Sequence, residues 1–333
     1  MLSVLAVLIA ALVVAIVVGL ALGLAVATWR VTGWADIATW PRELREAPPP
    51  ETALAPIAWP APAIVRRAQR PGIVLLHGMF GFDSLGVGAA RVVYFREVAP
   101  RLEAAGYDVC TVRVPPIGSV PARAEALARA IGDLPHDRVT VFAHSMGGLD
   151  ARWAIARLGL GARIANLVTI GTPHHGTPLA DLLALRPIRT ARSMLARFGL
   201  TVDALDWLTT WHWSEFNRQL PDVSGVRYAC VVGATTDRAR VHPLLRPTHA
   251  YLTHAVGASD GVVPGRSQVW GEILAEVELD HFAQVGWSGG HDAAAMVMNA
   301  LTHLRAAPVT RALQARDAAA MNPVRARSSP PVA

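Results

Sequence analysis

The stretch Val139 to Trp153, Val-Thr-Val-Phe-Ala-His-Ser-Met-Gly-Gly-Leu-Asp-Ala-Arg-Trp, constrains this chain more than any other. A β-branched run enters a small-His-Ser-Met-Gly turn and leaves as a helix, which is the pattern of a nucleophile elbow. In such a turn the serine, here Ser145, is pushed clear of the backbone above a sheet. Strand and helix pass so close that the positions two before and two after it must be small. Ala143 and Gly147 meet that demand, with alanine where glycine is usual. A small-x-Ser-x-Gly string also arises by chance in a chain rich in alanine and glycine, so the flanking elements carry the reading.

Those elements alternate. Ile73-Val74-Leu75-Leu76 reads as a short strand buried on both faces and runs into His77-Gly78-Met79-Phe80-Gly81. Arg91 to Ala105 has helical spacing, Tyr107 to Val114 reads as a strand, Arg123 to Ile131 as a helix and Val139 to Ala143 as the strand of the elbow. Beyond the elbow helix come a strand at Ile164 to Ile170, a long helical, Trp-bearing section from Leu179 to Leu220, and a strand at Tyr228 to Val232. The alternation predicts an α/β fold, a mostly parallel sheet with helices on both faces.

Before this domain, Leu2 to Ala27 is apolar without a charge. At ~1.5 Å per residue it exceeds the roughly 30 Å bilayer core, so it reads as a transmembrane helix crossing with tilt. It is too long for the apolar core of a signal peptide, and no basic residue precedes it. Trp29, Trp34 and Trp40 follow where an interfacial belt belongs, and Gly19 and Gly23 form a small-xxx-small pair that would let two such helices meet. The expected organisation is an anchor over 1–29, a Pro-rich tether over 30–70, the catalytic domain over 71–305 with a lid-like section near 179–220, and a disordered tail over 306–333. The 333 residues, 52% of them hydrophobic, suffice for one large core. The net charge of +6 comes from scattered arginines with no lysine, a bias of composition that does not point to nucleic acid. Cys110 and Cys230 each lie in an apolar strand and are expected to be free thiols; no metal-ligand spacing of Cys or His appears.

An elbow serine needs a base, an acid to orient the base, and backbone donors for the oxyanion. In this fold the partners follow the serine in the order acid, then histidine. Asp260, in Gly257-Ala258-Ser259-Asp260-Gly261-Val262-Val263-Pro264, is the expected acid, and His281, in Leu279-Asp280-His281-Phe282, the expected base, with His291 as its rival. The oxyanion donors are expected at the backbone N–H of Met146, just after the nucleophile, and of Met79, in the loop after the first strand.

Four segments, His77 to Asp83, Ala143 to Gly148, Gly171-Thr172-Pro173-His174-His175-Gly176, and Ser259 to Val263 followed by Leu279 to His281, together resemble the bacterial triacylglycerol lipases of the α/β-hydrolase fold. The likeness runs from about Ile73 to Gly286. It implies Ser145 as nucleophile, Asp260 and His281 as its triad partners, Met79 and Met146 as the oxyanion hole, and a lid in the segment Leu208 to Asn217. The family commonly holds a structural calcium through an aspartate two residues after the catalytic histidine; Ala283 stands there in this chain, so neither a metal nor any other cofactor is expected, and Phe282 and Trp287 are expected to hold the loop by packing.

The expectation is thus a membrane-anchored serine hydrolase acting on lipid or other apolar esters. The alternatives are a thioesterase, polyester depolymerase or acyltransferase on the same triad, or a non-catalytic membrane scaffold. Arg30, Arg42 and Arg45 after the helix argue for a cytoplasmic domain, whereas the resembled lipases act outside; the resemblance is given the greater weight, which favours the periplasmic face of a bacterial inner membrane. Trp207, Trp211 and Trp213 are expected to form an apolar cover near the site, and the oligomeric state is left open.

Overall fold

Six short strands form one parallel sheet: β1 (Gly72–Leu76), β4 (Asp108–Val112), β5 (Val139–His144), β6 (Ile164–Ile170), β7 (Arg227–Gly233) and β8 (Glu272–Val277), in the order β4-β1-β5-β6-β7-β8. The computed structural model describes residues 70–81, 84–85, 92–183 and 203–305. The expected anchor, tether and tail, with Phe82, Asp83 and the middle of the lid-like section, lie outside the described residues. No described helix is long and apolar enough to cross a membrane.

β1 shows why the central strands lack polar alternation. Val74 and Leu76 pack on one side of the sheet with helices α2 (Val120–Gly132), α3 (Met146–Arg157) and α5 (Thr210–Gln219), while Ile73 and Leu75 pack on the other with α1 (Val98–Ala104) and α7 (Ala293–Arg305). Both faces are covered, so every position is apolar. Each such side chain contributes roughly 1.5–3 kcal/mol of burial. Cys110 on β4 and Cys230 on β7 stand four strands apart, roughly 19 Å at ~4.8 Å per strand, and both are free thiols.

Three sequence expectations need correction. The helical spacing from Arg91 holds only over its second half: Val92–Val93 form a short strand, β3, antiparallel to β2 (Ser84–Leu85), and Glu97 with φ of 59° sets the start of α1 at Val98. Helix α2 begins three residues before Arg123, because Ser119 accepts a hydrogen bond from Ala122 N and Pro121 fits the first turn. The described parts of the long helical section are α4 (Pro178–Leu183), a 3-10 segment at Asp203–Leu208 and α5, with α6 (Arg246–Val256) following β7; residues 184–202 lie outside the described residues. Its tryptophans do not form a cover. Trp213 and Trp207 are buried, Trp213 Nε1 donates to Trp207 O, both pack on Phe216 of α5, and Trp207 and Phe216 pack on Trp153 of the helix behind the elbow. The indoles outnumber what a solvated face carries because they are core, and Trp211 alone of the three is part-exposed.

This core carries a pH signature. Burial lowers His212 to about 4 and puts His174 and His144 well below the ordinary histidine value. Each therefore takes up a proton more readily unfolded, near pH 6.5, than folded, so its contribution to stability is complete above that pH and is lost as the pH falls towards the folded value. Asp150, raised by burial to about 7, acts in the opposite sense: its contribution declines as pH rises from the usual carboxylate range to about 7. Three histidines outweigh one aspartate, so the Tm is expected to fall between pH 6.5 and about 4. His212→Phe, which keeps the stacking on Phe216, should flatten that fall in a series of thermal melts. An unchanged slope would exclude His212 as a contributor.

Candidate active site

Everything that converges on Ser145 leaves the sheet at one edge. Leu76 of β1, Ala143 of β5 and Thr169 of β6 are level in register, so the loop after β1, the elbow and the Gly171–Gly176 loop emerge together. Ser145 has φ of 56° and ψ of −132°, a region that costs a non-glycine residue of order 1–3 kcal/mol. The surroundings hold it there: Ser145 N donates to Ile170 O at 2.8 Å, and its carbonyl accepts from Thr172 Oγ1 at 2.8 Å. Between residues 141 and 155 it is the single position that is not buried. The small-residue demand is met by contact, since a Cβ at Gly147 would stand 2.9 Å from the carbonyl oxygens of Leu76 and His77.

Asp260 and His281 come together from separate loops. His281 Nδ1 lies 2.7 Å from Asp260 Oδ2, and His281 N donates to the Asp260 carbonyl at 2.9 Å. Asp260 Oδ1 accepts from Val262 N and Val263 N at 2.8 and 2.7 Å; Gln268 Nε2 and Gln284 Nε2 approach Oδ2 at 3.3 and 3.1 Å. The carboxylate is fully buried yet accepts five bonds, so it is fixed in position. The His281 ring lies 4.4 Å, centroid to centroid, from His144, the residue before the serine. His291 is not part of this cluster; it lies beside Arg96 and Arg101, ahead of α7.

The two expected oxyanion positions flank the serine. Met146 is the first residue of α3, so its N–H has no acceptor within the helix. On the other side Gly78 passes so close that a Cβ there would come 2.7 Å from Ser145 Cβ, and Met79 follows it. The loop is anchored by its neighbours. His77 Nε2 accepts from Val114 N at 3.3 Å, which leaves Nδ1–H to donate to Gly78 O at 2.8 Å, and Phe80 N donates to Pro116 O.

Several residues of this architecture were not singled out from the sequence. Arg123, fully buried, donates to His77 O, Pro115 O and Asp150 Oδ2, tying the loop after β1 to the elbow helix. The available signal was a charge on the apolar face of α2, between Val120 and Leu127. Asp280 adds to an expectation: Phe282 packs on His242 and Trp287, and Trp287 on Tyr94, but the His281 loop is held by hydrogen bonds as well. The buried Asp280 carboxylate accepts from His242 N at 2.6 Å, Phe282 N at 3.0 Å, Ala283 N at 2.7 Å and Ser288 Oγ at 2.8 Å. Asp237 caps Ala239 N and stands 3.6 Å from Arg240. The described residues contain no group of three His, Cys, Asp or Glu side chains able to hold a metal ion.

Comparison with known proteins agrees with this frame. Residues 71–248 match the family model for the alpha/beta hydrolase fold. Triacylglycerol lipase 2 of Saccharomyces cerevisiae is 28% identical over 222 residues, which is 62% of this chain and 66% of that protein, so the chain spans just under two thirds of that relative. A triacylglycerol lipase of Pseudomonas fragi is 27% identical over 256 residues, 63% of this chain and 85% of that enzyme. Among solved structures, the mature Bacillus licheniformis lipase BlEst2 aligns with a TM-score of 0.56 at 22% identity, covering 75% of this chain and 98% of that one. The Staphylococcus hyicus lipase aligns with a TM-score of 0.57 at 16% identity, covering 72% and 98%. At these identities the structural likeness speaks for the fold alone.

Proposed function

The chain belongs to the alpha/beta hydrolase fold family and is distantly related to bacterial triacylglycerol lipases, and we propose that it hydrolyses carboxylic esters of apolar acyl chains through an acyl-enzyme. The observation that carries this reading is the 2.7 Å pair between His281 Nδ1 and Asp260 Oδ2 beside a serine held in a strained elbow. Ser145 Oγ attacks the ester carbonyl while His281 takes its proton, and the N–H groups of Met79 and Met146 receive the charge that develops on oxygen. Collapse of the tetrahedral intermediate expels the alcohol, which takes the proton from His281. Water then repeats the sequence to free the acid and restore Ser145. Asp260 keeps the imidazole proton on Nδ1 and stabilises the imidazolium as it forms.

The preference for apolar acyl groups rests on the relatives' activity, as their names give it. It is tested with the full-length protein in detergent on a series of p-nitrophenyl esters of increasing chain length. A kcat/KM that rises from acetate to medium or long chains supports the proposal, and a maximum at acetate that falls steadily thereafter contradicts it.

The same proposal includes single-pass anchoring by Leu2 to Ala27, supported by the length and apolarity of that run, with the catalytic domain on the periplasmic side. An impermeant thiol reagent that fails to label a cysteine introduced into the tether of intact spheroplasts would contradict that side. The reading also dispenses with calcium, because Asp280 and its four donors tie the loop that carries His281.

A further inference from the structure

Three buried side chains that the triad reading leaves unused lie end to end beneath it. The Tyr94 hydroxyl accepts from Gly78 N at 3.2 Å and stands 2.7 Å from His144 Nδ1. Burial pushes the phenol up to about 12, and burial, together with the neighbouring His281, holds His144 well below its ordinary value. A protonated phenol whose oxygen already accepts from Gly78 N has its O–H to give, and a neutral imidazole has one ring nitrogen free to accept it. With Tyr94 O–H donating to His144 Nδ1, His144 carries its single proton on Nε2.

At the opposite end, Gln284 Nε2 donates to Asp260 Oδ2, the same oxygen that faces His281 Nδ1. Gln284 sits in a slot cut by two glycines: a Cβ at Gly171 would collide with its Oε1, and one at Gly233 with its Nε2. Its amide has little freedom to turn. Among the described residues, His144 Nε2 and Gln284 Oε1 are both buried with no partner at bonding distance, one a donor and the other an acceptor. The two side chains nonetheless interact, Gln284 favouring a proton on His144. A buried donor and a buried acceptor left unpaired each lose their bonds to water without replacement, and pairing with each other restores one to both.

We propose that His144 Nε2–H closes on Gln284 Oε1, so that Tyr94, His144 and Gln284 form one buried positioning chain from the Gly78–Met79 loop to the Asp260 carboxylate. The chain moves no proton. It sets two parts of the machinery in register, the backbone that would receive the oxyanion and the acid that orients the base. Burial and the neighbouring His281 keep His144 neutral, and the chain fixes which ring nitrogen holds its one proton beside an imidazole 4.4 Å away that becomes positive in the general-base step. The proposal deepens the serine hydrolase reading and rests on it.

Two measurements on the full-length protein in detergent test it. In the first, Tyr94→Phe, Gln284→Met and the double variant are compared on one ester. Each single change is expected to lower kcat about tenfold at unchanged KM, and the double variant to fall no further than the worse single, since either change severs the chain. Independent effects that multiply to about a hundredfold, or losses confined to KM, would overturn the proposal. The second needs no turnover. Nitrogen NMR of the resting wild-type protein with labelled histidine, with the His144 signal identified by its loss in His144→Phe, is expected to show the Nε2–H tautomer. An Nδ1–H tautomer would overturn the chain whatever the kinetics show. Because the tautomer is independent of catalysis, a failure of the serine hydrolase reading would register separately, as turnover that survives Ser145→Ala.

Discussion

Ser145→Ala is expected to lower kcat at least about 10⁴-fold while leaving the far-UV spectrum and the Tm unchanged within error. The two halves of this expectation have different origins. The rate falls because the reaction would pass through a covalent ester on Oγ, and alanine offers no atom on which to build it. The fold survives because the strained turn is held by backbone atoms and by Thr172, through Ser145 N to Ile170 O and Thr172 Oγ1 to Ser145 O, and both bonds persist without the hydroxyl. Since a methyl side chain tolerates φ of 56° no worse than serine does, the strain itself is unaltered. Activity retained within tenfold would remove Ser145 from the mechanism.

Asp260→Asn should come next in size, with a loss in kcat of about 10³- to 10⁴-fold. The substitution keeps the shape and reverses half of the bonding. If the new amide NH2 occupies the Oδ2 position, it faces His281 Nδ1, Gln268 Nε2 and Gln284 Nε2, all of which are donors. Turned the other way, it faces the N–H groups of Val262 and Val263. Neither orientation is satisfied, so the Tm should fall as well as the rate, by contrast with Ser145→Ala. In the first orientation the imidazole is driven to the wrong tautomer, with its lone pair towards residue 260 and a proton towards Ser145. The measurement is kcat and Tm on the same preparation; near-wild-type kcat with a lowered Tm would make Asp260 a structural residue only.

The residues that could be read from the sequence are those whose role follows from the chain's own periodicity or turn chemistry. Ile73–Leu76 and Val139–Ala143 were legible as central strands because they are buried on both faces, and the elbow because close passage of strand and helix forces small residues at fixed offsets. β8 was harder: Glu272-Ile-Leu-Ala-Glu-Val is an edge strand with charges at both ends, one of them paired with Arg227 of β7. Val92 and Val93 satisfied a helical spacing together with Val98 and Leu102, and only pairing with Ser84–Leu85 and the left-handed Glu97 separated them. The tryptophans misled because an apolar stripe looks alike whether it covers a ligand or a neighbouring helix. Gln268, Gln284 and Asp280 had no pattern to betray them. Each acts through a side-chain bond within a loop or between loops, and loop residues acquire partners only once the sheet has brought their loops to one edge.

The central claim, a covalent intermediate on Ser145 fed by His281 and Asp260, is tested most directly by trapping it. The full-length protein in detergent is mixed with a p-nitrophenyl ester, quenched in acid during the first turnover, digested and examined by mass spectrometry. The account predicts an acyl adduct on the peptide that carries Ser145, appearing with the burst of p-nitrophenol and absent from Ser145→Ala. An adduct on another residue, or a burst with the Ser145 peptide unmodified, would contradict it.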